Sequence, residues 1–255
     1  MSTQTAPADA LLDLLTRLAD DDLLLGHRNS EWTGMGPLLE EDIAFASMAQ
    51  DQIGHALAFY ELAHALGAPA PDDYAFLREP NAYKACHFVV APIGDYAFSL
   101  VRHYLYDTAK ALRLQALTRS TYAPLAELAQ KLAREHKYHQ LHGRTWVQQL
   151  AQGSDESRLR LQSALSEAYP MALGLFEPTP FTEALAQAGV QPTERSLETQ
   201  WRTETESFLS GIGLSVPTAD ATPYLGGRRG YPSEYLLPLV LEMTEVIRQD
   251  PQAVW

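Results

Sequence analysis

A single cysteine, Cys86, occurs in 255 residues. No internal disulfide can staple such a chain, and a reducing compartment is its simplest setting. No run approaches the ~18 apolar residues needed to cross a bilayer. Residues 1–10 also lack the basic stretch and apolar core of a secretory signal. These absences point to a cytoplasmic protein that does not enter a membrane. Positive charge is scarce: 19 Lys and Arg stand against 32 Asp and Glu, a formal charge of −13. Nucleic-acid binders draw affinity from phosphate neutralisation, so the balance argues against that class. Sequence identity reveals no internal repeat and no low-complexity tract.

What the chain does have is helical periodicity almost throughout. Its length suits one large domain with a sizeable core, or two small ones. Leu11, Leu12, Leu14, Leu15 and Leu18, then Leu23 to Leu25, recur at helical spacing and predict a helix over 8–32. Gly34-Met35-Gly36-Pro37 breaks it, and a second helix over 38–66 stops at Gly67. The stretch 68–94 carries Pro69, Pro71, Pro80 and Pro92. It is too long for a tight hairpin and long enough to travel the length of a bundle, so the flanking helices should run parallel. Asp95 caps a third helix reaching 119, Ser120-Thr121 turns, and a fourth helix runs over 123–152 to Gly153. Two long hairpins joined by one long crossover give the all-α, ferritin-like form of the four-helix bundle, although a generic bundle shares the periodicity. Beyond lie a fifth helix capped by Ser154 and interrupted by Pro170, another near 193–209, a Pro/Gly-rich segment over 214–231, and a last helix over 233–249 with Pro238 in its first turn. The expectation is a single domain over 1–255, with a core bundle over about 8–152 and a helical extension over 153–255.

Two stretches suggest chemistry. Asp51-Gln52-Ile53-Gly54-His55 and Glu135-His136-Lys137-Tyr138-His139 each look like a metal-binding helix motif that has lost a carboxylate. Ferritin-like di-iron proteins place Glu-x-x-His on each of two core helices and one acid on each of the other two. Here the i, i+3 pairs are Gln52/His55 and His136/His139. In an antiparallel hairpin, residues equally far from the turn share a height. Gln52 should then face position 18, or Asp20, Asp21 and Asp22 at an offset of one turn, and His136 should face Tyr106 and Asp107. The candidate set is Asp22, Gln52, His55, Asp107, His136 and His139. Four carboxylates balance two divalent ions, whereas two can balance only one. A single Zn²⁺, Mn²⁺ or Fe²⁺ on Asp107, His55, His139 and His136 is one reading. A metal-free buried network of Asp107, His139 and Glu135 is the other. Asp20-Asp21-Asp22 reads equally as a solvated acidic run with one member facing inward. His27, His64, His87, His103 and His142 show no partner at ligand spacing and read as surface or core residues. Tyr104, Tyr106 and Tyr138 read as packing residues with hydrogen-bonded hydroxyls.

Leu25-Gly26-His27-Arg28, Ser30-Glu31-Trp32-Thr33-Gly34, Glu40-Glu41-Asp42-Ile43-Ala44 and Ala49 to Ala56 carry a resemblance, continued by Tyr106-Asp107, Tyr138-His139, Gly226-Gly227-Arg228 and Glu242-Met243. In their order and spacing the chain resembles the C subunit of the bacterial phenylacetyl-CoA epoxidase, over nearly its whole length. The resemblance implies a ferritin-like fold and a structural, non-catalytic role beside an A subunit that holds the di-iron centre. It also implies a separate reductase fed by NADPH. No cofactor is then expected on this chain, apart from the single divalent metal already considered. Some relatives keep Glu where this chain has Gln52 and His136. Relatives also tend to His-Thr/Ser-Glu-His after Gly230, where this chain has Pro232-Ser233-Glu234-Tyr235. Arg228 and Arg229, in a glycine-rich loop, are candidates for CoA phosphates or an acidic partner, with a mobile solvated loop as the plain alternative. Two competing functions are a stand-alone ferritin-like metalloprotein and a ligand-free helical homodimer. An unpartnered apolar face would also favour a homodimer of the isolated chain.

Overall fold

The computed structural model describes residues 6–217 and 221–250. Among these residues there is no strand, and the α-helices are α1 Ala8–Ser30, α2 Leu39–Ala65, α3 Pro71–Phe76, α4 His87–Val90, α5 Tyr96–Leu117, α6 Ala123–Ala151, α7 Asp155–Ala172, α8 Thr182–Gln187, α9 Glu194–Gly211 and α10 Leu236–Met243. The all-α, ferritin-like class is the one found. The chain divides into two compact units, one built from residues 7–92 and 226–250, the other from 93–217 and 221–225.

In the first unit α1 and α2 form an antiparallel hairpin. Leu14, Leu15, Leu24 and Leu25 give α1 its apolar side, but much of its remaining surface is buried charge, and buried charge persists only when paired. Arg17 Nε lies 3.0 Å from Asp13 Oδ2. Arg28 donates to the Val90 carbonyl at 3.0 and 2.8 Å. Asp20, Asp21 and Asp22 are all buried, which corrects the expectation of a solvated run with one member inward. Asp20 accepts from the Tyr60 hydroxyl at 2.6 Å and from Arg78, and Arg78 is stacked near Tyr74 and Tyr83 at 4.3 and 4.1 Å. Burial, with Asp20 close by, raises the Tyr60 hydroxyl well above its usual range. Burial, against the attraction of Arg78, pushes Tyr83 up to about 12. The Asp20 carboxylate also accepts from the Lys84 amide at 2.6 Å. These bonds hold the proline-rich crossover, which contains α3, α4 and a 3₁₀ turn at Pro80–Ala82, on α1.

The hairpin register differs from the symmetric count. Asn29 Nδ2 donates to Gln52 Oε1 at 2.8 Å, while Asp20 meets Tyr60. Gln52 therefore faces the end of α1, and the three aspartates lie about two turns deeper. The cause is the connection: residues 31–38 climb beyond the end of α1 before α2 begins, with Trp32 stacked at 5.9 Å on Phe45. The Gly34-to-Pro37 break ends α1 but is not the mirror point of the hairpin.

The second unit follows its capping signals closely. Asp95 accepts from the Phe98 amide and starts α5. Ser154 and Ser157 form a reciprocal capping box for α7, and Thr193 caps α9. α7 is not interrupted by Pro170 but runs on to Ala172. Proline costs least here, because only part of a turn follows, and its carbonyl is taken by the Tyr224 amide at 3.3 Å. α9 is fixed to α5 by Trp201, whose Nε1 donates to the Leu105 carbonyl at 2.9 Å. Arg113 on α5 donates to both oxygens of Glu194, at 3.0 and 2.7 Å. The last helix, α10, is shorter than expected, and Pro238 occupies its third position.

Candidate functional site

α5 and α6 form the second antiparallel hairpin, and its short connection at 118–122 makes the symmetric count valid. Asp107 on α5 therefore meets His136 on α6: His136 Nε2 lies 2.9 Å from the Asp107 carbonyl oxygen and 3.7 Å from its Oδ1. One helical turn further along α6 is His139. Asp107, His136 and His139 are all buried and each offers a donor atom within 4.8 Å of the others. Among the described residues this is the group of acidic, His or Cys side chains spaced to hold an ion.

Two further histidines join the cluster. His103, one turn before Asp107, places Nε2 at 3.0 Å from Asp107 Oδ2. The His142 ring packs edge-on against His103 with centroids 5.4 Å apart. The sequence alone reads both as surface or core residues. The i, i+4 spacing of His103 to Asp107 is the signal that could have linked the first of them to the site.

Electrostatics follow from burial. Burial pushes the Asp107 carboxyl up, but attraction to the His103 and His136 rings outweighs it and leaves the group well below the usual carboxylate range. Burial drives His136 down to about 3, against the pull of Asp107. At neutral pH the site thus holds a carboxylate beside a neutral imidazole. The Asp107 carbonyl can only accept, so His136 Nε2 carries the proton and Nδ1 the lone pair. That Nδ1 and both Asp107 carboxylate oxygens are buried without a well-formed hydrogen bond.

The other candidates lie in the first unit. Asp22 is buried on α1 and His55 on α2. Gln52 is fully buried and holds the Asn29 amide, so that height of the hairpin carries two neutral amides. Glu135 is exposed and stands outside the buried network expected for it. Tyr138 is 76% exposed, not a packing residue. Arg228 is buried, with its guanidinium on both Asp21 oxygens at 2.8 and 2.5 Å and on the Lys84 carbonyl at 2.8 Å. It faces inward and is held, whereas a phosphate contact or a solvated loop requires it outside. Arg229 is exposed.

A family described as phenylacetic acid catabolic protein matches residues 1–255. The chain belongs to this family. It is 30% identical over 240 residues to the C subunit of 1,2-phenylacetyl-CoA epoxidase from Escherichia coli (strain K12), covering 94% of this chain and 96% of that one. To the A subunit of the same enzyme it is 27% identical over 194 residues, covering 74% of this chain and 62% of the relative. Within the family the chain is thus of the C-subunit type. Its donors do not fit a pair of irons. The cluster contributes one carboxylate and two imidazoles, and the Gln52 position contributes a neutral amide already held by Asn29. One negative charge cannot balance two divalent ions in a buried site.

Proposed function

We propose that this chain is the C subunit of a multicomponent phenylacetyl-CoA epoxidase in aerobic phenylacetate breakdown, where it supports a catalytic A subunit and carries no oxygen chemistry of its own. The observation that carries this reading is the end-to-end match to the C subunit of the relative at 30% identity, against a partial match to its A subunit. The donor set supports it, because the chain keeps the helices of an oxygenase component but not the four carboxylates. On this reading the di-iron centre sits on the A subunit and the NADPH-linked reductase is a further component. This chain works in the cytoplasm by presenting rigid helix faces that hold its partner. Small misplacements of reacting groups cost orders of magnitude in rate, so such support has a direct catalytic consequence.

The test is reconstitution. The chain alone, with iron and reductant, should not oxidise phenylacetyl-CoA. Co-expressed with the A subunit of its own source, it should co-purify in fixed stoichiometry and raise turnover at least tenfold over that of the A subunit alone. Turnover by the isolated chain would overturn the reading, and so would an A subunit that is equally active and stable without it.

A further inference from the structure

The mismatch with a di-iron site leaves three unexplained facts in the α5–α6 hairpin. A fully buried carboxylate, Asp107, has neither oxygen in a well-formed hydrogen bond. The buried Nδ1 of His136 has no hydrogen-bond partner. Donor atoms of Asp107, His136 and His139 nevertheless converge within 4.8 Å. A buried anion and a buried lone pair are each costly when unmatched, and one cation would match both.

We propose that Asp107, His136 and His139 form a mononuclear site for a later first-row divalent ion of the Zn²⁺ or Co²⁺ class, which ties α5 to α6. The second contacts are those such sites need. A metal-bound imidazole normally donates its other N–H to a carbonyl or carboxylate, which fixes the ring; His136 Nε2 already does so to the Asp107 carbonyl. A ligating carboxylate is itself normally held, and His103 lies 3.0 Å from Asp107 Oδ2, leaving Oδ1 for the ion. His103 is accordingly a positioning residue. The choice of ion follows from the donors: two imidazoles and one carboxylate suit zinc or cobalt, whereas iron and manganese centres of bundles are carboxylate-rich. Ligand bonds of ~2.0–2.2 Å set neighbouring donors about 3.3 Å apart. The cluster therefore closes by about 1.5 Å, within reach of small side-chain rotations. An entry path exists, since His136 lines a pocket of about 250 Å³ between α5, α6 and α9, rimmed by Gln115, Lys137, Gln140 and Glu204. The site is structural: its three ligands are buried on packed helices. The proposal does not depend on the epoxidase reading.

The experiment uses the full chain, stripped with chelator, dialysed, and given Zn²⁺ or Co²⁺. About one ion per chain should remain after gel filtration, measured by elemental mass spectrometry, with a higher thermal midpoint. X-ray absorption at the zinc edge should count two imidazoles. His139→Gln should weaken binding at least tenfold, and His103→Gln should weaken it ~10–100-fold while retaining two imidazoles. Less than about a tenth of an equivalent on folded wild-type protein overturns the site. So does a zinc spectrum with fewer than two imidazoles, which needs no variant to fold. Undiminished binding in a folded His139→Gln variant also overturns it.

Discussion

His136 couples stability to acidity in the metal-free chain. Its folded value of about 3 lies below the ordinary 6.5. Between these values the unfolded chain binds a proton that the folded chain refuses, so stability is present above about pH 6.5 and is lost as pH falls towards 3. Asp107 acts with the same sign lower down, because its folded carboxyl is held beneath the ordinary 3.8. Denaturant unfolding followed from pH 7.5 to 4.5 should lose on the order of a few kcal/mol. His136→Gln should flatten that slope, and parallel slopes for variant and wild type would remove His136 as the cause. At this scale much of the site was legible. The His136/His139 spacing marked one face of α6, and the hairpin count brought Asp107 to it. His103 and His142 were missed because ligand spacing was sought within each helix, whereas their partners include residues across the hairpin. Arg228 was misplaced because a glycine-rich loop reads as exposed, while its partner Asp21 lies 207 positions away.

Elements with local signals were read to within a few residues. Asp95, Ser154 and Gly67 mark ends by caps or left-handed backbone, which depend on neighbours a few positions away. The α1–α2 register was not legible, because it depends on the path of residues 31–38 in three dimensions. The short helices α3, α4 and α8 were also missed, each being too brief for periodicity to appear. One loop element makes a sharp forecast. The 226–230 segment lies so close to the crossover that a Cβ on Gly227 would stand 2.0 Å from the Ala85 carbonyl oxygen. Gly227→Ala must push the segment outward and strain the Arg228–Asp21 pair. A loss of about 1–3 kcal/mol is expected, with faster proteolysis confined to the region beyond residue 225. A variant with wild-type stability and an unchanged cleavage pattern would contradict this packing.

At the scale of the whole molecule, α2 is unusual in carrying apolar residues on its outer side as well. Leu39, Ile43, Ile53 and Leu57 are exposed, and from Ile43 to Tyr60 the ionisable groups other than Tyr60 itself are Asp51 and His55. Helices apolar all round are normally covered, and the proposed epoxidase complex supplies a cover in the catalytic partner. Ile43→Lys with Leu57→Lys should cut co-purification of that partner at least tenfold, while the isolated chain's stability changes little, as surface substitutions generally do. Unchanged recovery of the partner would place the contact elsewhere. The Asp21–Arg228 pair has a consequence for synthesis. The acid is made early and its cation 207 residues later, an interval of about 10–40 s at ~5–20 residues per second. Through that interval the ribosome-bound chain cannot close the first unit, because Asp21 cannot be buried without its counter-charge. A product that stops short of Gly226 carries the same defect permanently. The molecule therefore contains its own check on completeness: only a chain translated through its last hundred residues can finish folding its first helix, and prematurely ended copies stay open to the cell's proteases.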